Sequence, residues 1–195
     1  MSADPRTPRP GVPDPEPMIM SSSRRRWALP TAVAAVAAVA APPAPAHATG
    51  APATLTAAQR TVLIEATKRF QDVTLAEAAG YLPTEDCVPG MGRHYVHPGL
   101  AADPAVDPTR PEVLLYDRRR ELLGIEFFKA DTDGSLTTDS DRPTLFGNRF
   151  DGPMTGHPVP HGAPPMPVHY DLHVWLYRSN PDGVLATVNP RVTCP

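Results

Sequence analysis

The sequence predicts an α+β domain in which two N-terminal helices precede a small antiparallel sheet with long proline-rich loops. Three observations carry that expectation. Helix-start signals and a helical apolar period occupy residues 56–80 and then stop. Short runs rich in β-branched and aromatic residues follow them. One of those runs, Val168 to Tyr177, alternates from face to face along its whole length.

Ahead of this domain the chain reads as a leader. Residues 1–17 carry Pro5, Pro8, Pro10, Pro13, Pro15 and Pro17 and almost nothing that enters a core. They are either an extended, solvated segment or an over-long start placed before Met18 or Met20. Residues 18–48 match an export signal peptide. Ser23-Arg24-Arg25-Arg26-Trp27 is its charged region, Ala28 to Ala41 its apolar run, and Ala46-His47-Ala48 a small-x-small cleavage site. The apolar run is about half the ~20 residues that span a bilayer, and Pro42, Pro43 and Pro45 follow at once. No membrane anchor is therefore expected after cleavage, and the expected location is secreted. The arginine cluster loosely matches a twin-arginine signal, so both that route and the general secretory route stay open.

Cleavage after Ala48 leaves 147 residues, of which 49–55 read as a flexible N-terminus and 56–195 as a single domain. The remaining 13 basic and 18 acidic residues make a mildly acidic chain without a basic stripe, which argues against nucleic acid as a partner. Arg118-Arg119-Arg120 stands between two strand-like runs and reads as a solvated hairpin tip. Cys87 and Cys194 are the only cysteines. In an oxidising compartment the pair reads as a disulfide, stabilising the fold by roughly 4–5 kcal/mol on the chain-entropy model. A nucleophilic Cys87 is the rival reading, but nothing near it in sequence supplies an obvious base.

Each element has its own signal. Thr56-Ala57-Ala58-Gln59 has the spacing of a capping box, and Val62, Ala66 and Phe70 then share a helical face with Leu63 beside them. Thr74-Leu75-Ala76-Glu77 is read as a second capping box, closed by Gly80. Strands are expected over Gly92 to Val96, Val113 to Tyr116, Leu122 to Lys129 and Val168 to Tyr177. A weaker one, Val184 to Val188, follows the turn Asn180-Pro181-Asp182-Gly183. Pro98–Pro111 and Asp131–Pro167 are left as long connections. Asp131, Asp133, Asp139 and Asp141 crowd the second, but Gly134 comes too early for an EF-hand loop and no glutamate closes it. A solvated acidic loop is the expectation there.

The alternating strand carries the functional interest. It places Val168, Tyr170, Leu172, Val174 and Leu176 on a core side, and His169, Asp171, His173, Trp175 and Tyr177 opposite. Imidazoles, a carboxylate and aromatic rings in one row suit a ligand-binding face formed by His169, Asp171, His173, Trp175 and Glu126. The same row suits a divalent transition metal held among His94, His169, Asp171 and His173. His169 and His173 lie ~13 Å apart along a strand, too far to share an ion easily. Asp171 with either histidine is a better unit, as a ligand or as a carboxylate orienting an imidazole. Glu126, set among apolar residues, is expected on an exposed face, or buried with a partner and its pKa pushed up, or paired across strands to an arginine. A semi-enclosed polar pocket is expected under the loop from Asp131 to Pro167. His157 and His161 read as surface residues.

Glu112-Val113-Leu114-Leu115-Tyr116, Leu123-Gly124-Ile125-Glu126-Phe127, Arg142-Pro143-Thr144-Leu145-Phe146-Gly147, Phe150-Asp151-Gly152-Pro153-Met154 and the segment from Pro167 to Trp175 carry a resemblance. Over residues 56–195 the chain resembles a family of uncharacterised exported bacterial proteins. The resemblance implies export and a bacterial source, and brings no activity with it. Three functions stay open. They are an exported domain binding a small ligand or metal ion, an exported hydrolase or lyase with a His/Asp acid–base pair, and a structural protein of the cell envelope.

Overall fold

Leu122 to Ala130 form the strand on which the fold is built, and every residue of it but Ala130 is buried. Leu122, Ile125 and Phe127 enter one apolar layer, while Leu123 and Phe128 enter another, so neither side of this strand meets water. The computed structural model describes residues 54–156 and 165–194, all within one unit spanning His47–Pro195. The expected leader and cleavage site, His157 and His161 lie outside the described residues.

The strands are β1 (Leu82–Val88), β2 (Gly92–Val96), β3 (Val113–Tyr116), β4 (Leu122–Ala130), β5 (Thr144–Leu145), β6 (Asn148–Arg149), β7 (Asp151–Met154) and β8 (His169–Val174). Six of them form an antiparallel sheet in the order β1-β2-β3-β4-β8-β7, and β5 and β6 form a separate ribbon. With α1 (Ala57–Thr67), a 3-10 turn (Lys68–Gln71), α2 (Val73–Ala78) and the single turn α3 (Pro98–Ala101), the class is α+β.

Several local expectations are corrected. The capping box of α1 is present, with Gln59 N donating to Thr56 Oγ1 at 3.2 Å and Thr56 N to Gln59 Oε1 at 2.8 Å. The buried stripe, however, runs through Leu63, Thr67 and Phe70, and Val62 is 40% exposed. Thr67 occupies a core position because its hydroxyl is satisfied, by Leu63 O at 2.6 Å and by the Tyr177 hydroxyl at 2.9 Å. The cap of α2 is Asp72, whose carboxylate accepts from both Thr74 N and Thr74 Oγ1, so the helix starts one residue before the expected box. Glu77 instead pairs with Arg120 at the β3–β4 hairpin. The hairpin tip, Arg118 to Arg120, is exposed as expected.

The connection from Asp131 to Pro167 is less irregular than its length suggested, since it contains β5, β6 and β7. Strands of two to four residues leave almost no periodic signal. The acidic groups at its start cap their own loop: Asp131 Oδ1 accepts from Asp133 N and Gly134 N, and Asp141 Oδ2 from Thr132 N. The connection from Pro98 to Pro111 begins with α3. β1 was unforeseen because its sequence is acidic and contains Pro83. It is an edge strand whose register shifts just after that proline, where a missing N–H is tolerated. Val184 to Val188 form no strand, and Val184 O instead accepts from Trp175 N at 2.9 Å.

Two layers cover the sheet. Phe70, Val73, Ala76 and Tyr81 join Leu114, Tyr116 and Phe127 on the helical side. Val192, from the C-terminal segment, joins Leu115, Leu123 and Trp175 on the other. That segment is pinned by Gly90 N to Val192 O at 3.0 Å, by Asn189 N to Gly90 O at 2.8 Å, and by the Cys87–Cys194 disulfide. No helix among the described residues is long and apolar enough to cross a membrane.

Candidate metal centre

β8 pairs with β4 so that His173 stands directly opposite Glu126, and Asp171 opposite Phe128. The same parity continues into β2, where His94 pairs with Leu115 of β3, and Leu115 in turn with Gly124 of β4. Glu126, two residues on from Gly124, shares that side of the sheet, so His94 and Glu126 stand diagonally across β3, two strand spacings of ~4.8 Å apart and two residues out of line. Their side chains close that gap. His94 Nε2 lies 3.3 Å from Glu126 Oε2, and His173 Nε2 lies 3.6 Å from the same oxygen. The other nitrogen of His173, Nδ1, lies 3.7 Å from Asp171 Oδ1.

All four groups are buried, His173 completely. Glu126 Oε2, Asp171 Oδ1 and both ring nitrogens of His173 have no hydrogen-bond partner among the described residues. Such groups are costly in an apolar layer unless something else compensates them. Part of the compensation is mutual. Burial alone raises the Glu126 carboxyl pKa, but the imidazoles of His173 and His94 outweigh it and hold the group well below the usual carboxylate range. Burial alone lowers the His173 pKa, and the carboxylates of Glu126 and Asp171 reverse that and raise it.

The donor set also fits an ion. One atom each from His94, Glu126 and His173 fall within 4.8 Å of one another. Donors bound tetrahedrally at 2.0–2.2 Å stand about 3.3–3.6 Å apart, close to the two distances measured from Glu126 Oε2. Two imidazoles and a carboxylate form a recurrent ligand set for zinc and for ferrous iron. Asp171 stands where a carboxylate orients a ligating histidine through its far nitrogen. Trp175 lies nearly parallel to His173, with ring centroids 6.3 Å apart, and its Nε1 donates to Ala186 O at 2.6 Å, so this wall of the site is fixed.

Not every residue expected at the site joins it. His169 turns to Phe128, its ring 4.8 Å away, and its Nδ1 contacts Pro167 O at 3.0 Å. Tyr177 leaves the polar row, because β8 ends at Val174 and the chain turns. Its hydroxyl meets Thr67 on the helical side. The expected semi-enclosed pocket is not what forms: His169, Asp171, His173 and Trp175 are all buried. The second apolar layer, with Val192 and Met166, covers that face of the sheet. Glu126 is buried against a pair of histidines rather than an arginine, and they lower its pKa where burial alone was expected to raise it. No family model, curated protein or solved structure matches the chain.

Proposed function

We propose that this chain is an exported bacterial domain that holds a divalent first-row transition ion between His94, Glu126 and His173, with Asp171 orienting His173 from behind. One observation carries the reading: three ligand-type atoms converge within 4.8 Å in a buried layer, where Glu126 Oε2 and both His173 nitrogens lack hydrogen bonds among the described residues. A bound cation would satisfy those groups together. Their burial favours retention of an ion over turnover of a substrate, since a catalytic ion keeps a position open to exchange. Export is supported by the leader pattern of residues 18–48 and by the Cys87–Cys194 bridge, which persists in oxidising compartments.

The test is the metal content of protein recovered from an oxidising compartment and dialysed without chelator. A stoichiometric ion is expected, lost in His173→Ala and Glu126→Ala. Protein that arrives empty, and whose melting temperature is unmoved by Zn²⁺, Co²⁺ or Mn²⁺, refutes the centre. N-terminal sequencing of the secreted form tests export separately, and a chain still beginning at or before Met20 refutes it.

A further inference from the structure

On the helical side of the sheet, between the 3-10 turn and α3, lies a cleft of about 320 Å³. Phe70 and Tyr81 form its floor, and Arg69, His97, Leu100 and Arg110 form its walls. Phe70 and Tyr81 belong to the layer of Phe127, not to that of Trp175, so the cleft and the metal centre occupy opposite faces. Its volume is at the lower end of the range for small-molecule sites.

The cleft offers donors and few acceptors. The Arg69 guanidinium carbon sits 4.5 Å over the Phe70 ring, and no described carboxylate pairs with it. His97 is held in place by Leu100 N, which donates to its Nδ1 at 3.2 Å, and by Tyr81, edge-on at 5.3 Å. With Nδ1 accepting, the neutral ring carries its proton on Nε2 and presents a donor there. Arg110 engages Asp103 through Nη2 and Asp107 through Nε, which leaves Nη1. The hydroxyls are already engaged, Tyr81 donating to Pro111 O at 2.7 Å and Thr109 to Asp107 at 2.7 Å.

We propose that this cleft binds a small organic carboxylate with an apolar body. Arg69 takes the carboxylate, Arg110 and His97 supply further donors, and the apolar part lies against Phe70 and Leu100. Charge-assisted bonds to guanidinium favour an anion over a neutral molecule of the same shape. The assignment does not depend on whether His94, Glu126 and His173 hold an ion.

The experiment titrates the ¹⁵N-labelled, disulfide-bonded chain with benzoate and, separately, with benzyl alcohol at matched ionic strength. Benzoate is expected to shift the amides of Phe70, Ala79, His97 and Leu100, and to bind about tenfold or more tightly than benzyl alcohol. Arg69→Gln, an exposed and structurally mild change, is expected to weaken benzoate about tenfold while leaving benzyl alcohol unaffected. Arg110→Gln provides a second variant, with a smaller loss expected. Equal binding of the two probes, undiminished benzoate affinity in Arg69→Gln, or no response of these amides at any attainable benzoate concentration overturns the assignment.

Discussion

The two faces of β8 are equally buried and differently stabilised. Tyr170, Leu172 and Val174 lie in the layer of Phe127 and Phe150, where apolar area removed from water contributes roughly 25 cal/mol per Å² and asks for no partner. The Tyr170 hydroxyl, the polar atom on that side, reaches Asp141 at 2.8 Å. On the opposite face His173 and Asp171 are as thoroughly enclosed, yet their stabilisation depends on charges 3.3–3.7 Å apart. The first face is non-directional apart from that one bond from Tyr170 to a carboxylate. The second works only in particular protonation states, or with an ion in place of the protons.

The largest expected effect tests what encloses the charged face. Replacing Cys87 and Cys194 together by Ser should cost about 4–5 kcal/mol, given the 107-residue separation of the bridge. Urea denaturation at neutral pH measures it. A loss below about 1 kcal/mol would mean that Gly90 and Val192 hold the C-terminal segment without the bridge.

The next pair of variants sets the faces against each other. Phe127→Ala should cost about 3–5 kcal/mol at every pH. Glu126→Gln, in metal-free protein, should cost a similar amount by stranding His173, but with a pH dependence. The depressed Glu126 pKa stabilises the fold above the unfolded carboxyl value of ~4.3, and that contribution is lost as pH falls through the folded value. The raised His173 pKa stabilises the fold below the unfolded imidazole value of ~6.5, and that contribution is lost as pH rises through the folded value. The difference between wild type and Glu126→Gln should therefore be largest between about pH 4.3 and 6.5. A flat difference would show that this carboxylate acts by packing alone.

The smallest effect refines the metal reading. Asp171→Asn keeps the shape and removes the charge behind His173, and should lower metal affinity about 10- to 100-fold. Competition with a chromophoric chelator measures it, with the melting temperature of the metal-free protein as control. Unchanged affinity would show that Asp171 does not orient the ring.

Local pattern was enough to anticipate β2, β3, most of β4 and the core of β8, because alternation and β-branched runs are written in adjacent residues. It was enough for the disulfide, since each cysteine had one possible partner. It also put His169, Asp171 and His173 on one side of a strand. It did not separate His173, which meets Glu126, from His169, which meets Phe128. Nor did it show that His94 reaches over β3, or that Val192 closes the polar face. The site is made by register: Glu126 faces His173 because β4 and β8 pair as they do. Register is settled by side-chain packing between strands far apart in the chain, and the short apolar runs alone fit more than one pairing.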